Sequence, residues 1–414
     1  MMSEEKKKIT VVGINSVVRG STGGVMLGVS RAAGKEGVGF ISACPAAKSN
    51  RGGADLFIGT RFSRNLHVLL GKMTGRHGCF SAAATKKFVS RLGKINPDVL
   101  HLHNLHGDYI NLGVLFDYIR SSGVPVVWTL HDCWAFTGRC PHFETLGCAK
   151  WETGCENCPM PAGDYPKSDR DRAALMWEYK RRAFTMPEKM TIVTPSRWLA
   201  GLVRRSFLGK YDVRVINNGV DVSVFRPARG ETYEKIKKTG AHIVLGVASG
   251  WTRAKGLDVF SRLSETLPED YTVVLVGVDE KTRAALPPRV VSLGRTDKNE
   301  LAEIYSAADV FVNPTLEDTF PTVNIEALCC GTPVVTFDTG GSPEIPDEKS
   351  GLTVPRGDYG ALSGAILRVC GDRPFSTDDC VSRGKTFDRN SNFSEYVALY
   401  RDLAGAYTGG GSDE

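Results

Sequence analysis

The sequence predicts an α/β protein made of two doubly wound, Rossmann-like domains facing each other across a cleft. Three observations carry this expectation. Short β-rich runs alternate with helix-length segments from one end of the chain to the other, as parallel sheets covered by helices on both faces require. The alternation breaks once, at a polar and poorly periodic stretch, and then restarts. A length of 414 residues also exceeds what one hydrophobic core usually supports.

In the first half, KITVVGI (8–14), DVLHLHN (98–104), PVVWTLH (125–131), KMTIVTPS (189–196) and YDVRVINNG (211–219) read as buried strands ending at loops. RPARGETYEKIKKTG (226–240) reads as the linker between domains. The second half repeats the theme with HIVLGVASG (242–250), YTVVLVGV (271–278), VVSLGR (290–295), ADVFVNPT (308–315) and TPVVTFDT (332–339). NFSEYVALYRDLAGAY (392–407) places Phe393, Tyr396, Val397, Tyr400 and Leu403 at helical spacing, so this last helix has a face to bury. The expected division is 1–225 for an N-terminal domain with a Cys-rich insertion at 133–160, 226–240 for the linker, and 241–385 for a C-terminal domain. Residues 386–408 are expected to pack back on the first domain. GGGSDE reads as a disordered or appended tail.

Composition narrows the function. An apolar share of 42% and a charged share of 24% are those of a soluble globular protein. No stretch reaches the roughly eighteen uninterrupted apolar residues of a membrane span. The first residues show no secretory signal, so the expected location is cytoplasmic. In that reducing setting eleven cysteines read as metal ligands or buried thiols rather than disulfides. The net charge of +6 is unevenly spread: Arg61, Arg64, Lys72, Arg76, Lys86, Lys87, Arg91 and Lys94 fall between Asp55 and Asp98 with no acid among them. An anionic partner or an ordinary solvated helix face both fit that run.

Ligands of open α/β sheets bind at the carboxyl ends of the strands, so the loops there are the places to look. After the first strand, Gly20, Gly23 and Gly24 lead into a helix and allow close approach of backbone to a ligand. In ASGWTRAKG, Arg253 and Lys255 sit where a helix begins, an arrangement suited to a diphosphate and equally to two exposed cations on a turn. In PTLEDTFPTVNIEALCCGTPVV, Glu317 and Asp318 follow a strand, Glu326 lies in the next helix, and the backbone from Phe320 through Thr322 and Val323 can offer amides to an anion. Carboxylates beside a phosphate site make sense if they accept hydrogen bonds from neutral hydroxyls, and sugars supply those.

PTLEDTFPTVNIEALCCGTPVV, VINNGVD, WTRAKG and TGGSPEI, in that order, resemble the family-4 retaining glycosyltransferases of the GT-B fold. The nearest likeness is to bacterial exopolysaccharide and capsule enzymes, in which HDCWAFTG also occurs. The resemblance covers nearly the whole chain. It implies a nucleotide-sugar donor, UDP- or GDP-linked, bound by the second domain, and two acids eight positions apart at the donor, Asp318 and Glu326 here. Family members usually have glutamate followed by glycine at the first position. This chain has Asp318 and Thr319 after Glu317, so either Glu317 or Asp318 contacts the donor sugar. Glu326 would accept from ribose hydroxyls, and amides around Phe320, Thr322 and Val323 would bind phosphate and sugar. The family's usual arginine five positions before the lysine is Gly250 here. Lys255 is retained, and Arg253 is the nearest substitute.

His131 ends a strand and matches the family histidine beside the anomeric carbon and leaving phosphate. His103 and Asn104 would line the acceptor side, and His101 reads as core. The resemblance requires no cofactor for catalysis. Cys140, Cys148, Cys155 and Cys158 have the spacing C-x7-C-x6-C-x2-C, which suits either a structural zinc tetrathiolate or packed reduced thiols. Trp134, Phe136 and Trp151 in the same insertion could stack on a sugar or fill a core. The acceptor implied is a saccharide or a lipid-diphosphate-linked saccharide, with an anionic membrane surface as a further partner and no nucleic acid. A glycoside hydrolase and a zinc-stabilised nucleic-acid binder are the competing readings.

Overall fold

The computed structural model describes residues 9–408, so the charged first residues and the GGGSDE tail lie outside the described residues. The chain divides into two compact units, Met1–Ile216 with Asn392–Glu414, and Asn217–Ser391. Each unit is built on one parallel sheet.

In the first unit the strands are β1 (Thr10–Ile14), β2 (Gly39–Pro45), β3 (Leu56–Ile58), β4 (Val99–Leu102), β5 (Val126–Thr129), β6 (Met190–Thr194) and β7 (Asp212–Val215). They lie in the order β3-β2-β1-β4-β5-β6-β7. In the second unit β8 (His242–Val247), β9 (Tyr271–Val276), β10 (Val290–Leu293), β11 (Val310–Asn313), β12 (Val334–Phe337) and β13 (Gly351–Val354) lie in the order β10-β9-β8-β11-β12-β13. In both sheets the chain works outward to one edge, returns, and continues to the other. The order therefore reverses between β1 and β4 and again between β8 and β11, and at such switch points the loops diverge and leave a crevice.

Continuous apolar runs explain the central strands. All four residues of β4 are buried, as are all four of β5 and all five of β6, because helices cover both faces. β2, β3 and β13 have no counterpart among the sequence-derived strands. Gly39 opens the first of these, the second is three residues long, and Gly351 begins the third, so none presents a long β-branched run.

Stretch 226–240, expected as a linker, holds a helix, Glu231–Lys237, that belongs to the second unit. Ile236 is buried, and Glu303 accepts hydrogen bonds from the amides of Thr232 and Tyr233 at 3.0 and 3.1 Å. The break between units falls earlier, after Ile216. The last helix, Arg389–Thr408, carries Phe393, Tyr396, Val397 and Tyr400 into a core shared with Val11, Val29, Val99 and Val127 of the first unit. Gly28 makes room for it, since a Cβ there would come within 2.2 Å of the Phe393 ring.

Candidate active site: strand-end loops of two switch points

In the second unit, the turn Arg253–Lys255 follows β8 and the loop from Pro314 follows β11, the two strands that flank the switch point. Several bonds stitch these loops together. The Leu316 amide and the Thr315 hydroxyl both donate to the Ala254 carbonyl, at 2.9 and 3.2 Å. Gly256 closes the turn at φ +78°, and a Cβ on it would sit 2.5 Å from the Pro314 ring. The result is an ion pair between Lys255 Nζ and Asp318 Oδ2 at 2.9 Å. Arg253 points away into an exposed contact with Asp258, 3.6 Å long. Lys255, not Arg253, therefore joins the acidic loop.

Asp318 also accepts from the Phe320 amide at 3.2 Å, so that amide, expected to face an anion, is engaged by its own loop. The Phe320 side chain is buried against Phe387, with ring centroids 5.8 Å apart, and anchors the loop rather than lining it. Thr322 and Val323 open the helix Thr322–Cys329, whose first amides are those an anion would meet. Glu326 lies further along this helix and accepts from Tyr305 Oη at 3.0 Å. Burial pushes its carboxyl up to about 7, against a lowering by the Tyr305 hydroxyl and by Lys298. Near neutral pH such a group is poised between acid and carboxylate, and further hydrogen-bond donors would favour the ionised form.

The loop after β12 meets the same place, with the Gly341 amide donating to the Asp318 carbonyl at 3.2 Å. Three buried polar atoms here, Thr339 Oγ1, Ser342 Oγ and Asn324 Nδ2, have no hydrogen-bond partner among the described residues. A buried polar group without a partner is costly, and three in one set of loops suit a place that a polar ligand or ordered water fills. Sequence reasoning missed Thr339 and Ser342, although TGGSPEI was the signal. It also missed Tyr305, which lies in a different helix and shows no motif.

In the first unit, His103 and His131 stand just beyond β4 and β5. His103 Nδ1 and His131 Nε2 share a hydrogen bond of 3.0 Å, and the rings stack with centroids 5.3 Å apart. His101 lies behind them, 4.1 Å from His103 ring to ring, bonded to Thr129 Oγ1 at 2.8 Å and to the Tyr400 hydroxyl. Burial lowers all three imidazoles, His131 to about 4 and His101 to about 3, so at neutral pH the row is uncharged. Asn104 follows His103, and its carbonyl accepts from Tyr109 Oη at 2.8 Å.

Beside them Asp132 accepts from His106 Nε2 at 2.8 Å and from the Trp134 amide at 2.9 Å. Burial alone would raise this carboxyl, but His106 and the amide hold it down to about 2. Asn15, at the end of β1, is fully buried with its Nδ2 unpartnered among the described residues, as is Nε2 of His103. Asn15 was another residue that strand-end position alone could have found.

Gly23 and Gly24 lie inside the first turns of the helix Gly20–Lys35. A Cβ on Gly23 would come within 2.3 Å of the Val18 backbone, so chain packing already accounts for that glycine, while one on Gly24 would meet nothing.

The Cys-rich insertion is a packed brace. Trp134, Phe136 and Trp151 are buried in the first unit's core, so they fill space and offer no platform to a sugar. Buried Lys180 donates to the Trp134 carbonyl at 2.6 Å, and the Arg139 guanidinium donates to backbone carbonyls that include Pro161 at 2.7 Å and Pro166 at 2.9 Å. Cys140, Cys148, Cys155 and Cys158 line one small cavity, and the Gly138 amide donates to Cys155 Sγ at 3.1 Å. Burial pushes the Cys140 and Cys155 thiols up to about 12 and about 11. Among the described residues no three His, Cys, Asp or Glu side chains are grouped as a metal site, so no chemistry is assigned to a metal there.

Comparison with known proteins bears on both units. A family model described as Glycosyltransferase Family 4 matches residues 30–224, and one described as Glycosyl transferases group 1 matches residues 241–372. A protein named as a colanic acid biosynthesis glycosyl transferase, WcaC of Escherichia coli K12, is 29% identical over 270 residues, which are 62% of this chain and 64% of WcaC. A D-inositol 3-phosphate glycosyltransferase of Saccharomonospora viridis is 30% identical over 48% of this chain and 52% of its own. The chain thus spans less than two thirds of the length of these relatives. Among solved structures, sucrose-phosphate synthase from Thermosynechococcus elongatus superimposes with a TM-score of 0.69 at 18% identity, covering 96% of this chain and all of that one. Anabaena HepE in complex with UDP-glucose does so with a TM-score of 0.63 at 15% identity, covering 94% of this chain and 100% of that one. At these identities the two structures establish the fold, a pair of Rossmann-like units of the GT-B type.

Proposed function

Given that the chain belongs to the family-4 glycosyltransferases, we propose that it works in exopolysaccharide synthesis, as its relative WcaC is named to do, and transfers a hexose-type sugar from a nucleoside diphosphate donor to a growing saccharide, with retention of anomeric configuration. The observation that carries the donor assignment is the join of Lys255 to Asp318 at the second switch point, with Glu326 in the helix that follows. Cation, helix amides and hydroxyl-accepting carboxylates in one set of loops suit one molecule that has both a diphosphate and sugar hydroxyls.

In this reading Lys255 exchanges Asp318 for the diphosphate, the amides of Thr322 and Val323 face the phosphate, and Glu326 accepts from the ribose. The freed carboxylate of Asp318, or its neighbour Glu317, accepts from the donor sugar. Negative charge grows on the diphosphate as the glycosidic bond breaks, and fixed donors aimed at it lower the barrier. The acceptor hydroxyl attacks from the face the nucleotide leaves, and the departing phosphate takes its proton. His131, uncharged at neutral pH, donates or accepts a hydrogen bond at the reacting end without adding fixed charge. His103 and Asn104 belong to the acceptor side, where a saccharide, free or linked to a lipid diphosphate, is the proposed partner.

Thermal-shift measurements with UDP-, GDP- and ADP-sugars test the donor assignment. A donor at a hundredfold its Kd should stabilise the fold by about 2.7 kcal/mol. If none of the three sugar nucleotides shifts the melting temperature, the reading fails.

A further inference from the structure

The helix Arg61–Thr74 is built with its polarity reversed. Its buried positions are His67 and Gly71. His67 Nδ1 bonds Ser81 Oγ at 3.0 Å, its Nε2 accepts from the Phe80 amide at 3.2 Å, and Ser81 Oγ donates to the Ser63 carbonyl at 3.3 Å. Gly71 lies where a Cβ would come within 3.0 Å of the His77 ring and the Asp108 carboxylate. Hydrogen bonds and close backbone approach therefore seat this helix: neither fully buried position carries an apolar side chain, and Leu70 beside them is half-buried.

Four of the large apolar residues form a stripe on the other side. Phe62, Leu66, Leu69 and Met73 recur at steps of four, three and four, which aligns them along one helical face. They are 77%, 43%, 53% and 52% exposed. Phe57 in the preceding strand and Val68 on the same helix are also exposed large apolar side chains. A helix in a folded domain ordinarily turns such a stripe inward, and a contiguous exposed patch marks a surface that meets something.

The charge of the segment selects the occupant. Arg61, Lys72 and Arg76 are exposed on or just after this helix, Arg64 is half-buried, and no acid occurs between Asp55 and Asp98. Among the described residues, the ion pair that these four cations make with a carboxylate is Lys72 to Asp169, 3.9 Å long and on the surface. An apolar ridge flanked by cations, on a helix far too short to span, is the pattern of a segment that lies in the plane of an anionic bilayer. No helix among the described residues is long and apolar enough to cross one.

We propose that the helix Arg61–Thr74 is a membrane-docking element, with Phe62, Leu66, Leu69 and Met73 entering the acyl boundary of an anionic leaflet and the arginines and lysine meeting its head groups. The surface deepens the proposed function by holding the enzyme where a lipid-linked acceptor resides. It stands on the exposed face itself, and its vesicle binding is read without nucleotide or sugar.

The experiment is co-flotation of the full chain with phosphatidylcholine vesicles and with vesicles in which part of the lipid is phosphatidylglycerol. The wild type should bind the anionic vesicles and release them as salt rises from about 0.05 M to about 0.5 M. The double variant Phe62→Gln, Leu69→Gln should lose about tenfold or more of that partitioning, while the thermal shift with the preferred sugar nucleotide stays at the wild-type value. Equal binding by wild type and variant overturns the proposal, as does wild-type binding indifferent to lipid charge. Light scattering covers the remaining occupant: a wild-type dimer that becomes monomeric in the variant, without vesicle binding by either, would assign the face to a second copy and overturn it as well.

Discussion

Under the proposed function, donor binding turns on Lys255, whose ammonium is paired with Asp318 and would exchange that carboxylate for the diphosphate. The pair with Asp318 is open to solvent, Lys255 being 40% exposed at its side chain. Exposed pairs contribute about 1 kcal/mol at most. Lys255→Ala should therefore melt close to the wild type and yet show no donor-induced shift, a combination read from the same pair of melting curves. Glu326 behaves differently. Its folded pKa, raised to about 7, exceeds that of an unfolded glutamate, so the folded state binds more protons between roughly pH 4.5 and 7 and stability is lost as pH rises through that window. Glu326→Gln should consequently be more stable than the wild type at pH 8, by on the order of 2 kcal/mol, and no more stable at pH 4. Denaturant melts at the two pH values check this, and the variant should also fail to bind donor. A residue that costs stability and is needed for binding is the usual signature of a working site.

The turn after β8 and the brace after β5 make opposite demands on their sequences. Gly256 must adopt φ +78° and must pass the Pro314 ring closely. Gly256→Ala should lower stability by about 1–3 kcal/mol and pull Lys255 away from Asp318, so its donor-induced shift should vanish along with several degrees of melting temperature. The brace tolerates no such local reading. Among the described residues no carboxylate is bonded to buried Lys180 or Arg139, and backbone carbonyls accept from both. Cys148 and Cys158 are half-buried while Cys140 and Cys155 are buried with raised pKa values. A thiol reagent should therefore modify Cys148 and Cys158 in the native protein, and Cys140 and Cys155 on unfolding. Protection of all four, with one zinc released per chain on modification, would instead identify a tetrathiolate. The spacing of the four cysteines could not separate these outcomes, because the same thiols serve packing and ligation alike.

Across the whole molecule the two units carry opposed titrations. The first holds His101, His103 and His131 uncharged by burial, so the unfolded chain binds more protons below pH 6.5 and stability falls as pH drops toward 4. The second holds Glu326, whose contribution grows as pH falls over nearly the same range. Calorimetry between pH 7.5 and 5 should accordingly resolve a transition for the first unit that moves down in temperature relative to that for the second. A single transition with no change of shape would argue that these buried groups do not govern acid stability. The amino-acid sequence alone determined the α/β class, the central strands β1, β4, β5, β8 and β11, the positions of Lys255, Asp318 and His131 in the loops after strands, and that of Glu326 in the helix that follows. Period, β-branched content and loop chemistry are local properties, and a ligand-facing strand end is local too. Tertiary structure decided what local pattern cannot carry. It put Tyr305 against Glu326 and Tyr400 against His101, folded Glu231–Lys237 of the polar stretch 226–240 into a packed helix, and turned Trp134 and Trp151 inward. It also turned Phe62, Leu66, Leu69 and Met73 outward. The stripe itself is periodic in the sequence, but which side of a helix meets water depends on what the rest of the chain places beneath it. Here His67 and Gly71 had already taken the inner face.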